Sequence, residues 1–251
     1  MKLTDQVVII TGATSGMGKT TARLFAKNGA KLVINGRDKN RGYALVEELK
    51  EFTDITFYAG DVSEPETNKQ LVATAIGNYG KLNGFVTHAG ILGLGNITDM
   101  DLEEWHYTLN TNFNAFFYLA KYAIPYIKEN KGFIIANASI AAFKSFPNHP
   151  VYCASKAALV SLVKQLATDY SPDVRINAVC PGPVDTPLIW NSAKAFKDPE
   201  KAVENVKEAT LMKRLGKPED VSNLILFLAS KEASWMTGSA LTIDGGIMAS
   251  H

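Results

Sequence analysis

Short β-branched and apolar runs alternate with longer amphipathic stretches along the whole chain. The runs Val7–Thr11, Lys31–Asn35, Ile55–Ala59, Gly84–His88, Phe133–Ala138, Arg175–Cys180 and Ala240–Ile243 read as strands. Several are apolar at nearly every position rather than at every second one, as parallel strands covered on both faces must be. Between them, Gly16–Asn28, Arg41–Phe52, Glu64–Tyr79, Leu102–Glu129, Val151–Asp169 and Pro218–Ala229 carry helical periodicity. Strand–helix alternation of this kind predicts an α/β fold, a doubly wound parallel sheet of about seven strands with right-handed crossovers and helices on both faces. The stretch 187–215 breaks the rhythm. It is long for a connection and carries alternating charge, so it is expected to be a substrate-binding loop or lid, the alternative being a surface helix pair without a role.

With 251 residues, the chain sits at the upper end of what one hydrophobic core supports, and no repeat or low-complexity linker divides it; a single domain over 1–251 is expected. The 26 basic and 25 acidic residues are mixed along the sequence. A nucleic-acid partner would need a concentrated basic footprint, and none is present. No apolar stretch approaches a membrane span and no signal segment precedes the first strand, so a cytoplasmic protein is expected. Cys153 and Cys180 cannot build a disulfide framework and are read as reduced thiols. His88, His106, His149 and His251 lack the spacing of a metal-ligand set, so no metal is expected.

The first strand runs into Thr11-Gly12-Ala13-Thr14-Ser15-Gly16-Met17-Gly18 and then directly into a helix. Glycines at 12, 16 and 18 permit a tight turn and close approach of a pyrophosphate, with the helix N-terminus offering free N–H groups and a positive dipole end. Coming directly off the first strand, this reads as a dinucleotide site, although its Gly-x3-Gly-x-Gly spacing differs from the Gly-x-Gly-x2-Gly fingerprint of many other Rossmann enzymes. Enzymes that use NAD place an acid at the end of the second strand for the ribose hydroxyls. This chain has Gly36-Arg37-Asp38 there. Arg37 suits the 2′-phosphate of NADP(H) through a charge-assisted bond; the competing reading leaves Arg37 solvated and turns Asp38 to the ribose of NAD(H). Asp61, followed by Val62, is placed either to bond the adenine amino group or to serve the turn before Glu64.

Tyr152 and Lys156 stand four apart on one helical face. A phenol with a pKa of about 10 is a poor base at neutral pH, and a nearby ammonium lowers that value. Ser139, thirteen residues before Tyr152, ends the fifth strand. Tyr-x3-Lys alone is common on surface helices. Together with the glycine turn, Ser139, Pro181-Gly182-Pro183-Val184-Asp185-Thr186-Pro187, Trp105 followed by Asn112, Arg175-Ile176-Asn177 and Asp244-Gly245-Gly246, it resembles the short-chain dehydrogenase/reductase family over essentially the whole chain, and in particular its ketoacyl reductase-like and broad carbonyl reductase members.

The resemblance implies a tetrad. Tyr152 would be the general acid in carbonyl reduction and the base in alcohol oxidation, and Ser139 would hold the substrate oxygen. Lys156 would tune the phenol and bind the nicotinamide ribose, and Asn112 would hold a water beside Lys156, with Asn110 off the family spacing. The cofactor contacts implied are Gly12, Thr14, Ser15, Gly16, Met17, Gly18, Arg37, Asp61, Val62, His88, Ala89, Gly90, Tyr152, Lys156, Pro181, Gly182, Val184 and Thr186. The implied reaction is NADP(H)-dependent interconversion of a ketone and a secondary alcohol. Alternatives are an NAD-dependent dehydrogenase of a polyol, sugar or cyclic alcohol, and a non-catalytic dinucleotide-binding sensor or scaffold. A homotetramer is implied as well, with Phe113, Phe116 and Phe117 of the long helix as contact candidates. One departure stands out: Thr87-His88 replaces the family's usual Asn-Asn. Two expectations attach to it: that both side chains still hydrogen-bond, and the sharper idea that His88 titrates near the cofactor. Leu188, Ile189, Trp190 and Phe196, with Phe143, Phe146 and His149 opposite, are candidates for the walls of the substrate pocket.

Overall fold

Seven parallel strands form one sheet in the computed structural model, which describes residues 1–249. They are β1 (Val7–Thr11), β2 (Lys31–Gly36), β3 (Ile55–Ala59), β4 (Gly84–Thr87), β5 (Phe133–Asn137), β6 (Arg175–Pro181) and β7 (Ala240–Ile243). Their order across the sheet is β3-β2-β1-β4-β5-β6-β7. In register, Ile10 of β1 lies between Ile34 of β2 and Val86 of β4. The helices are α1 (Gly16–Lys27), α2 (Lys39–Leu49), α3 (Pro65–Tyr79), α4 (Leu102–Leu109), α5 (Ala115–Glu129), α6 (Pro150–Tyr170), α7 (Pro187–Ala193), α8 (Pro199–Ala209) and α9 (Pro218–Ala229).

Successive strand residues point to opposite faces, and the sequence supplies apolar side chains to both. Val7 and Ile9 pack with Leu71 of α3, Phe116 of α5 and Leu159 of α6. Val8 and Ile10 pack with Phe25 of α1, Leu45 of α2 and Ile225 of α9. Each such fully buried side chain is worth about 1.5–3 kcal/mol. This double covering explains the lack of alternation in the strand sequences.

Three expectations need correction. The single helix read over 102–129 is interrupted by a π-helical turn, Asn110–Asn114, between α4 and α5. Such one-turn insertions are frequent at functional sites, and the chain stays helical on both sides of this one. The stretch 187–215, expected as a loop or lid, holds two helices, α7 and α8. The strands expected to reach His88 and Ala138 end one residue earlier, although His88 N still donates to the Thr11 carbonyl (3.1 Å) and Ala138 N to the Val179 carbonyl (2.8 Å).

Candidate active site

The strand order reverses direction at β1, whose two neighbours are β2 and β4. Connections leaving the carboxyl ends of β1 and β4 therefore run to opposite faces, and a crevice opens between them. Sterics make the first of these turns glycine-rich. Gly12 has φ +64° and Gly16 φ +49°. A Cβ on Gly12 would lie 2.5 Å from the Ala89 amide nitrogen, and one on Gly18 2.2 Å from the Gly12 carbonyl oxygen. Ala13 N donates to the Asn35 carbonyl (2.9 Å), which pins the turn to β2. Ser15 is extended at the N-cap of α1, makes no side-chain cap bond, and no acid lies in the first turn. The helix thus keeps free N–H donors and its positive end toward the crevice, a cradle that fits a pyrophosphate. Thr14 packs on Gly36, Met17 reaches the cavity described below, and Thr186 covers Gly16.

At the end of β2, a Cβ on Gly36 would stand 2.5 Å from Thr14 Cγ2; an acidic side chain has no room there unless Thr14 moves. Asp38, the acid expected to compete for the ribose, is instead the N-cap of α2, accepting from Arg41 N (3.0 Å) and Arg41 Nε (2.7 Å). Arg37 donates to the Tyr107 hydroxyl (2.6 Å), and Tyr107 donates to Asp61 Oδ2 (2.7 Å). Arg37 itself is 3.6 Å from Asp61. Asp61 Oδ1 also accepts from Ser63 N (3.0 Å), so its turn role is real. Burial pushes the Asp61 carboxyl up, but the bonds from Ser63 and Tyr107 and the Arg37 charge outweigh it and hold the group below its usual value. Val62, next in the chain, is buried. Tyr107 escaped the sequence reading because it reaches Asp61 from α4, 46 residues away.

His88, Ala89 and Gly90 follow β4. Neither ring nitrogen of His88 has a partner, contrary to the expectation that the side chain still hydrogen-bonds. Burial, with the Lys156 charge, pushes its pKa down to about 3. The ring is therefore neutral over the whole ordinary pH range, which overturns the idea that it titrates beside the cofactor. Gly90 keeps a passage open: a Cβ there would lie 3.4 Å from Asn112 Oδ1 and 3.7 Å from Lys156 Nζ.

The tetrad candidates come together from three elements. Ser139 caps the short turn after β5, its Oγ accepting from Ala141 N (3.1 Å). Tyr152 and Lys156 occupy successive turns of α6, and all three side chains are buried. Burial raises the Tyr152 phenol, and the adjacent Ser139 hydroxyl partly offsets this. Lys156 Nζ lies over the Tyr152 ring, 5.7 Å from its centre. Nζ also donates to the Asn137 carbonyl (3.0 Å), and burial pushes Lys156 itself down to about 8. Asn112, in the π-helical turn, donates to the Ile91 carbonyl (2.9 Å) and Ser155 Oγ (3.1 Å) and accepts from Ile91 N (2.9 Å). Its amide clamps the segment after β4 to α6, and Ser155 in turn donates to the Tyr152 carbonyl (2.8 Å). Asn110 accepts from Asn114 Nδ2 (2.6 Å), a local role.

After β6, Gly182 is fixed against Asp244, where a Cβ would approach to 2.6 Å. Pro181, Gly182, Val184 and Thr186 line a cavity of about 190 Å³ together with Ser139, Tyr152 and Lys156. Leu188, Ile189, Phe196, Phe146 and His149 also line it, as do Leu92, Ser192, Val206 and Ile247, which the sequence reading missed. Trp190 does not, since its indole donates outward to Asp185 (3.0 Å); Phe143 is half exposed and lies off the cavity. Among the described residues no group of His, Cys, Asp and Glu could hold a metal ion, and no helix is long and apolar enough to cross a membrane. His251 lies outside the described residues.

Comparison with known proteins identifies the family and the fold. Residues 12–248 match the family model described as enoyl-(acyl carrier protein) reductase. An uncharacterised oxidoreductase of Thermotoga maritima is 39% identical over 249 residues, covering 98% of each chain. A 3-oxoacyl-[acyl-carrier-protein] reductase of the same organism is 34% identical over 251 residues, covering 99% of this chain and 100% of its own. The L-sorbose reductase of Gluconobacter frateurii, solved with NADPH and L-sorbose, superposes with a TM-score of 0.94 at 31% identity, covering 100% of this chain and 99% of its own. The chain belongs to the short-chain dehydrogenase/reductase family of oxidoreductases.

Proposed function

We propose that the protein is an NADP(H)-dependent reductase that interconverts a ketone and a secondary alcohol. The observation that carries this reading is the pairing of Ser139 with Tyr152 at the wall of an apolar-lined cavity that also receives Met17 of the glycine turn. When bound, the nicotinamide supplies or accepts the hydride. The Ser139 hydroxyl orients the substrate oxygen, and the Tyr152 hydroxyl, kept protonated by burial, gives its proton to that oxygen as reduction proceeds. Lys156, with a pKa of about 8, exchanges protons readily near neutral pH and stands ready to bond the ribose. Asn112 positions Gly90 and α6, and a water held there beside Lys156 would extend the path toward solvent.

The preference for NADP(H) rests on three features at the end of β2. Gly36 leaves no space for an acid unless Thr14 moves, Asp38 is occupied as a cap, and Arg37 is exposed, with its guanidinium 3.6 Å from Asp61. The sorbose reductase, crystallised with NADPH, supports the same choice. A homotetramer is proposed on the family resemblance. Of the three phenylalanines considered, Phe116 is core and Phe113 packs against it, whereas Phe117 remains half exposed.

The test is consumption of NADPH and of NADH with a panel of ketones, keto-sugars and ketoacyl thioesters. Tyr152→Phe should lower kcat by about 10²–10⁴ with little change in the urea midpoint. Equal turnover by the variant would remove the tyrosine from the mechanism, and preference for NADH would remove Arg37 from the cofactor reading.

A further inference from the structure

His149 ends the segment before α6 and is buried, 4% exposed, although it belongs to no part of the tetrad. Its ring meets that of Tyr152 edge-on with centroids 6.2 Å apart, and that of Phe146 at 6.3 Å. Nδ1 is 2.6 Å from the Pro147 carbonyl oxygen. A carbonyl only accepts, so Nδ1 carries the hydrogen, and in the neutral ring Nε2 is left with its lone pair. Nε2 is 2.8 Å from Ser192 Oγ on α7. Ser192 therefore spends its one proton on His149 and turns acceptor lone pairs toward the cavity.

The surroundings make this pair conspicuous. Leu188, Ile189, Phe196 and Val206, which the segment 187–215 also brings to the cavity, are apolar. Thr186, at the base of that wall, donates to the Val184 carbonyl (3.3 Å). A substrate hydroxyl directed at this wall thus finds an acceptor in Ser192, whereas a carbonyl or ether oxygen finds no donor there. The His149 ring meets that of Tyr152 edge-on, so this wall adjoins the proton donor and a hydroxyl near the reacting carbonyl can address it.

We infer that His149 and Ser192 form a hydroxyl-accepting subsite, and that the substrate is a hydroxyketone, the class that includes keto-sugars, rather than a simple ketone. The inference rests on the proposed reductase reading. The reaction is then a two-electron reduction of the carbonyl to a diol, with the reduced nicotinamide as electron donor and the Tyr152 hydroxyl as proton donor. His149 and Ser192 do not take part in it; they choose which ketone is presented.

Three matched probes test this: cyclohexanone, 2-hydroxycyclohexanone and 2-methoxycyclohexanone, the last able only to accept. For the wild type, kcat/KM for the hydroxyketone should exceed that for the methoxyketone by about tenfold, the worth of one well-made hydrogen bond. Ser192→Ala should bring that ratio close to one. His149→Phe keeps the ring packing but frees the Ser192 proton to donate, so the ratio should fall and the methoxyketone should gain on cyclohexanone. Ratios within one protein cancel losses of fold or of cofactor affinity. Turnover of all three with the wild-type ratio retained in Ser192→Ala would overturn the subsite and leave the reductase reading standing. No turnover of any probe with NADPH or NADH, nor of the matching alcohols in reverse, would overturn both.

Discussion

Tyr152 and His88 show how burial, adjusted by neighbouring groups, sets the charge of a site. Burial raises the Tyr152 phenol, so its neutral form prevails through and above neutral pH. The proton donor proposed for reduction is then present across that range, whereas oxidation by the same route needs the phenolate. Alcohol oxidation should consequently rise with pH into the alkaline region while ketone reduction stays level, which parallel pH profiles of kcat/KM will check. For His88, the unfolded imidazole titrates near 6.5 and the folded one near 3. Between those values the unfolded chain holds a proton that the folded chain lacks. Stability is thus full above the unfolded value and falls as pH drops, by about 1.4 kcal/mol per pH unit. His88→Asn removes this slope, so melting temperatures measured from pH 7 to pH 4 should decline less in the variant than in the wild type. The sequence marked His88 as a departure but not its environment. A charge state depends on who surrounds the ring, and Lys156 arrives there from α6.

The turn between α4 and α5 matters more than its length suggests. Apolar spacing across 102–129 reads as one helix, because the chain stays helical on both sides of an interruption that lasts a single turn. The structure puts Asn112 in the interruption, where its amide ties Ile91 to Ser155. Asn112→Ala would leave buried backbone and hydroxyl groups without partners. The expected cost is about 2–4 kcal/mol, at about 1–3 kcal/mol for each orphaned group, read from the denaturant midpoint, with a loss of activity beyond that because α6 carries Tyr152 and Lys156. The elements that were legible share a local signal. The glycine turn of β1–α1 is forced by φ values and close approaches within a few residues or to the adjacent strand, and Tyr152 and Lys156 lie on one helix. Tyr107 and Ser192 were not legible, since their partners lie 46 and 43 residues away and no periodicity records how α4 and α7 fold back over the sheet.

At the scale of the molecule, the cofactor is expected to act as a stabiliser. A ligand at about 100 times its Kd adds about 2.7 kcal/mol to the folded state. For NADPH to use Arg37, its 2′-phosphate must draw the guanidinium away from Tyr107 and Asp61, which places the net gain near the lower end of the range for charge-assisted bonds, about 1.5 kcal/mol. NADPH should raise the melting temperature more than NADH at equal concentration, and Arg37→Ala should bring the two shifts together. Calorimetric Kd values would show about a tenfold weakening for NADPH with NADH little changed.

The stretch 187–215 leaves and returns at almost one point. Val184 pairs with Gly216, Asp185 N donates to the Gly216 carbonyl (2.8 Å), and Gly216 N donates to the Pro183 carbonyl (2.9 Å). Everything between these bonds can vary in sequence and length at little cost to the sheet, because the closure is already made by the flanking backbone and added loop length is entropically cheap. The segment therefore behaves as an interchangeable cassette. Substrate preference can be changed by rewriting this one span, while Ser139, Tyr152 and Lys156, the groups proposed to do the chemistry, stay anchored after β5 and on α6.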